Sequence, residues 1–274
     1  MNRIIGSLLA LTWIIAMASL VQRDVLPFWT AQAAPSELLP TGEYQIGIVS
    51  ASGQRLGTTW ITAHQAPMPM VSSTTQLDAG KVSGMLPVTG IWLLGTELSY
   101  DSSGRLEHFH FTLAAPGVSG EVDAERIERD FSVVARLGEI KKTMLLEGEL
   151  SKYLSETLRP FTHLGGLRVG QSWRIRLLDP LAIIRSGSVE FQTILAHVTQ
   201  METIEHRGQS VECYRVESPT AKAWADSSGR VLKQEVQLPL VGRWTLVDEP
   251  VDRDARKNAF HAKKSGSQDR RTKH

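Results

Sequence analysis

With 274 residues, 42% hydrophobic and 22% charged, the chain is long enough to bury a real core in one or two domains, and wholesale disorder is excluded. The net charge of +1 divides into +5 over Asp252 to His274, where eight Lys and Arg meet three Asp, and −4 over the rest. An acidic body offers no footprint for nucleic acid. Cys213 is the single cysteine, which rules out an intramolecular disulfide and a cysteine-based zinc cluster and leaves the compartment open.

The first element is apolar. Ile4 to Val21 is 18 residues without a charge, about 27 Å as a helix and close to the hydrocarbon thickness of a bilayer. Arg3 precedes it, Arg23 is offset by Asp24, and Phe28 and Trp29 suit the headgroup level, so the positive-inside rule predicts a cytoplasmic N-terminus and an exported body. Residues 1–24 are read as a membrane anchor and 25–40 as a linker containing Pro27, Pro35 and Pro40. A cleaved signal peptide is the alternative, with small residues at Ala16 and Ala18 and at Ala31 and Ala33. The first site falls inside the apolar run and the second about a dozen residues beyond it, both unfavourable for a signal peptidase.

From Thr41 the pattern turns β-like. Tyr44, Ile46 and Ile48 alternate with polar or glycine positions, Ser52-Gly53-Gln54 marks a turn, and Leu56 to Ala63 returns. Val71 to Leu77, Trp92 to Tyr100 and Leu106 to Leu113 continue the pattern, with Phe109, Phe111 and Leu113 on one face of their strand. Phe131, Val133, Ala135 and Leu137 alternate in the same way. Tyr153, Leu154, Leu158 and Phe161 instead recur at helical spacing, with Ser151 as a cap and Pro160 near the end, which predicts a short helix over Ser151 to Arg159. Gly187 to Thr199, Gln209 to Val216, Ala221 to Ala225, Val231 to Leu238 and Trp244 to Val247 are further strands.

The expected fold is therefore mainly β, a large antiparallel curved sheet or open barrel with one short helix, preceded by the transmembrane helix. The β domain is placed at 41–250 and a disordered basic tail at 251–274. Asp101-Ser102-Ser103-Gly104-Arg105 is repeated as Asp226-Ser227-Ser228-Gly229-Arg230. Both read as hairpin tips, with glycine at positive φ and aspartate accepting amide hydrogen bonds. The repeat is either favourable turn chemistry used twice or the trace of a duplication, with halves at about 41–115 and 165–250.

The order of these features, with Gly47, the Gly53-to-Gly57 turn, Asp101 to Leu106, Leu164 to Trp173, Leu177 to Leu181, Gly208 to Ser218 and Ala223 to Val236, resembles a known arrangement. It is similar to the β-rich non-catalytic region that precedes the transglutaminase-like domain of membrane-anchored bacterial proteins, and more loosely to exported bacterial curved-sheet domains. The resemblance implies a non-catalytic role, and the chain departs from the first group by running into a basic tail where the catalytic domain would begin.

Few residues carry a chemical signal. Cys213 lies in a strand pattern rather than at the helix N-terminus that activates thiol nucleophiles. His108 and His110 share one strand face, as zinc or copper ligands do, and would need a third ligand from His64, His163 or His197; the plainer reading is a polar face opposite Phe109 and Phe111. Trp60, Trp92, Trp173, Trp224 and Trp244 would line a concave apolar pocket or fill the core.

No cofactor is implied. The reading that follows is a single-pass protein of the cytoplasmic (inner) membrane whose extracytoplasmic domain is a binding or scaffold module without catalysis. Its partners are the bilayer, through Ile4 to Val21, an apolar ligand or envelope protein, and an anionic surface for the basic tail. The alternatives are a carrier or sensor for an apolar ligand, and a metal-dependent enzyme built on His108 and His110.

Overall fold

The computed structural model describes residues 12–17, 19, 39–65, 68–82, 89–146, 154–156, 160–178, 191–238 and 242–256. Within them lie β1 (Gly42–Ser50), β2 (Arg55–His64), β3 (Met70–Asp78), β4 (Ile91–Tyr100) and β5 (Leu106–Ala115). They are followed by β6 (Val118–Ile127), β7 (Asp130–Leu137), β8 (Ile140–Leu146), β9 (Leu154–Glu156) and β10 (Ser172–Leu178). The last are β11 (Phe191–His206), β12 (Gln209–Glu217), β13 (Ala221–Ala225), β14 (Val231–Leu238) and β15 (Gly242–Glu249).

These strands form a single sheet in the order β8-β7-β6-β5-β4-β3-β2-β1-β15-β14-β13-β12-β11-β10-β9. Two meanders run outward from a central seam where the first strand pairs antiparallel with the last, Ile46 opposite Asp248 and Ile48 opposite Leu246. Connectivity forces this sheet to curl. Leu146 ends one edge strand and Leu154 begins the other, and the chain between them reaches at most about 29 Å. Laid flat, the same strands would spread roughly 67 Å. The sheet is thus rolled and open, and one apolar cluster joins Phe131 and Val133 of β7 to Trp173 and Ile175 of β10.

The concave side is plugged by the chain itself. After β9, Pro160 to Gln171 enters the fold and buries Phe161, Leu164 and Leu167 in the main cluster. Gln234 of β14 accepts from the Phe161 amide at 3.4 Å and donates to its carbonyl at 2.9 Å. The Leu164 amide donates to the Gly229 carbonyl at 2.8 Å.

Two expectations are modified, and a third lies mostly outside the described residues. Leu154 to Glu156, placed in a helix, form β9 parallel to β10, with Leu154 opposite Arg176. The free edge of β10 supplies hydrogen-bond partners that a lone helical turn would have to find for itself, and Phe161 is a loop residue bonded to Gln234 rather than part of a helical face. The rest of Ser151 to Arg159 lies outside the described residues. The start of the basic tail belongs to the fold. Asp252 caps a helical turn at residues 253–256 by accepting from the amides of Asp254 and Ala255, each at 3.0 Å, and its own amide donates to Gln45 Oε1 at 2.8 Å. Lastly, among the described residues no helix is long and apolar enough to cross a membrane. Ile4 to Val21 lies outside them except for residues 12–17 and 19, which are helical.

Candidate functional site

The five tryptophans do not line one pocket. Trp92, Trp173 and Trp244 belong to the main core. Trp224 sits in a separate cluster with Cys213 and Leu232, donates its indole N–H to Glu202, and has Lys233 4.6 Å above its ring. Trp60 is buried on the other face, where it donates to Gln45 Oε1 at 3.1 Å. The indole N–H groups of Trp92 and Trp173 are buried and donate to no group among the described residues.

His108 and His110 are brought together as the alternation requires, their rings nearly parallel with centroids 6.3 Å apart. His108 Nε2 and His110 Nδ1 each lie 3.1 Å from Asp123 Oδ2. Burial raises the Asp123 carboxyl, and the hydrogen bonds from His110 and His108 more than offset it, leaving the group below its ordinary value. His163 Nε2 donates to the Ser228 carbonyl at 3.1 Å, and His64 and His197 stand exposed on β2 and β11. Among the described residues no group of three or more His, Cys, Asp or Glu is arranged to hold a metal ion. Cys213 is fully buried, and burial, together with Asp226, Glu202 and Glu212, pushes its thiol up to about 11. At neutral pH it is a protonated core group, not a nucleophile.

A cluster of charge around a buried carboxylate lies elsewhere, at the end of the sheet where β1 begins and β15 ends. Asp248 follows Trp244 and Leu246 on the core-facing side of β15, and its side chain is 4% exposed. Three cationic or ionisable groups converge on it. Arg230 Nη2 approaches Oδ1 at 2.6 Å and Nε at 3.2 Å, Arg207 Nη2 approaches Oδ2 at 2.8 Å, and His206 Nε2 lies 3.2 Å from Oδ2. Arg230 also stands 5.8 Å over the Tyr44 ring, and the Tyr44 hydroxyl donates to the Pro40 carbonyl at 2.7 Å.

Local chain geometry delivers both arginines. Arg230 follows the second Asp-Ser-Ser-Gly turn, whose Asp226 Oδ1 accepts from the amides of Ser228 at 2.9 Å and Arg230 at 3.0 Å. Arg207 and Gly208 are the two-residue turn between β11 and β12, at φ 52° and 74°. Two successive left-handed residues make the mirror-image turn that suits a hairpin and favours Asn or Gly. An arginine there costs roughly 1–2 kcal/mol.

This cluster is not evident from the sequence. Arg207 beside Gly208 and Arg230 beside Gly229 look like ordinary turns, and only the register of β11 to β15 brings them to Asp248. A second ion pair lies on the opposite face of the same seam. Arg55 holds Glu249 through Nη1 at 2.7 Å and Nη2 at 2.8 Å, and these bonds lower the Glu249 carboxyl. Gly47 makes room for it, since a β-carbon there would lie 2.1 Å from Glu249 Oε1. Beside this pair, Arg55, Thr58, Trp60, Gln76 and Lys81 line an open cleft of about 290 Å³.

No family model and no curated protein matches the chain. Two solved structures are similar to it. A DUF1089 family protein from Pseudomonas aeruginosa is 14% identical over 64% of this chain and 87% of that one, with a TM-score of 0.38. A hypothetical lipoprotein, YmcC, from Escherichia coli is 12% identical over 87% of this chain and 95% of that one, with a TM-score of 0.28.

Proposed function

We propose that the protein is a membrane-tethered binding or scaffold module, its rolled sheet held at the outer face of the cytoplasmic membrane and performing no covalent chemistry. One observation carries the reading. Within the uncharged run Ile4 to Val21, residues 12–17 are helical and leave Trp13 64%, Ile14 56% and Ile15 61% exposed. Each such side chain gains about 1.5–3 kcal/mol on leaving water, and among the described residues the core clusters of the sheet contain none before Leu39. A bilayer is the apolar medium that such a helix fits. The buried Cys213 thiol adds support to a non-catalytic role.

Alkaline carbonate washing of membranes carrying the full chain tests the tether. The native chain is expected to stay in the pellet, and an Ile14→Lys, Ile15→Lys double variant to be lost from it, because each central charge costs about 2.5–3.5 kcal/mol of insertion free energy. Quantitative release of the native chain would overturn the tether.

A second reading, a carrier or sensor for an apolar ligand, is favoured by the two buried indole N–H groups of Trp92 and Trp173 that donate to nothing among the described residues. A ligand presenting an acceptor to them would remove an unfavourable unpaired polar group. Mass measurement of lipid extracts from the purified chain tests it. A stoichiometric lipid is expected under this reading, and its absence counts against it.

A further inference from the structure

We infer that Arg207 and Arg230, held on Asp248, bind the phosphate of an anionic phospholipid headgroup at the end of the sheet where β1 begins. The inference rests on the membrane-tethered reading for its choice of ligand source, and on side-chain geometry for the site.

Asp248 is buried at 4% side-chain exposure and requires a counter-charge, which one arginine supplies. A second arginine leaves the carboxylate and its two arginines at +1. Both guanidinium groups remain 40% exposed in their side chains, so the surplus charge faces outward while the carboxylate lies beneath. Each guanidinium carries five N–H donors. Arg207 gives Asp248 one of its nitrogens, Nη2, and Arg230 gives Nε and Nη2. The remaining donors belong to two arginines that share one carboxylate. A phosphate takes this arrangement through parallel charge-assisted bonds.

Two further features point to a ligand rather than to simple neutralisation of Asp248. Arg207 occupies a left-handed turn position at φ 52°, where Asn or Gly would fit with less strain, so the turn itself does not call for arginine. The site also adjoins the start of the sheet: Tyr44, beneath Arg230, is bonded to Pro40, and the chain runs back from there toward Ile4 to Val21. The arginine pair lies on the opposite face of the seam from the Arg55–Glu249 pair and its cleft.

The test is calorimetric titration of the full chain in a neutral detergent with dihexanoyl phosphatidylglycerol, dihexanoyl phosphatidylcholine and inorganic phosphate. Saturable binding of the phosphatidylglycerol is expected at one site, weakening with salt, with phosphatidylcholine and inorganic phosphate at least tenfold weaker. Arg207→Asn, which suits the left-handed turn, is expected to melt no lower than the native chain and to lose tenfold or more in binding. Arg230→Gln is expected to lose as much. Equal affinity for inorganic phosphate would overturn the lipid assignment, and undiminished binding by both variants, or no binding at all, would overturn the site. None of these outcomes depends on carbonate extraction, so the site and the tether can fail separately.

Discussion

Gly104 and Gly229 occupy the same position in identical five-residue turns, at φ 78° and 90°, with Gly104 half-buried and Gly229 buried. In both turns the first aspartate accepts the amides that close the loop, Ser103 and Arg105 at 2.8 Å in one, Ser228 at 2.9 Å and Arg230 at 3.0 Å in the other. At Gly229 the plug loop presses against the turn, and a β-carbon there would lie 2.7 Å from the backbone of Gly165. Gly104→Ala should cost roughly 1–2 kcal/mol, the strain of a left-handed residue. Gly229→Ala should cost about 2–4 kcal/mol, because overpacking against backbone adds to that strain. Urea denaturation of the two variants checks the order, and equal losses would contradict the close packing of loop on turn. The turn chemistry was legible in Asp101 to Arg105 and Asp226 to Arg230, because it depends on neighbours within five positions. The Gly165 contact was not, because it joins residues 64 apart.

At the scale of elements, alternation was a sound guide wherever one face of a strand meets the core. Phe109, Phe111 and Leu113 are all buried while His108, His110 and Thr112 between them are partly exposed. Alternation is uninformative for a segment that is neither strand nor helix, such as Pro160 to Gln171, whose apolar residues are buried as a loop. The helical spacing of Leu154 and Phe161 arose from two unrelated environments, an edge strand and the plug. Gln234 is the polar residue that fixes the plug, being 1% exposed and bonded to both backbone groups of Phe161. Gln234→Leu should therefore cost about 2–4 kcal/mol by leaving a buried amide and carbonyl unpaired. Gln237→Leu, at an exposed position of the same strand, should stay within about 0.5 kcal/mol. Matching denaturation midpoints for the two would show that the plug is not held in this way.

At the scale of the whole molecule, the seam between β1 and β15 and the single core cluster bind both meanders into one sheet. Thermal unfolding of the full chain should accordingly show one transition for the sheet, and two separate ones would contradict it. The β character was legible in sequence, whereas the seam and the arginine pair on Asp248 were not, because both depend on pairings across more than a hundred residues or on the register of several strands.

The account turns on the sheet lying outside the cytoplasm on a membrane tether, and an introduced thiol tests this most directly. Cys213 is buried and its thiol is pushed up to about 11, so it should stay silent toward maleimide in the folded chain. Ala51, in the exposed turn after β1, is a suitable position for a reactive one. Intact spheroplasts of a bacterial host making the full-length Ala51→Cys chain would be treated with a membrane-impermeant maleimide, and the membrane fraction read for label. The account predicts labelling of Ala51→Cys before lysis and none of the parent chain. Labelling only after lysis would place the sheet in the cytoplasm and contradict it.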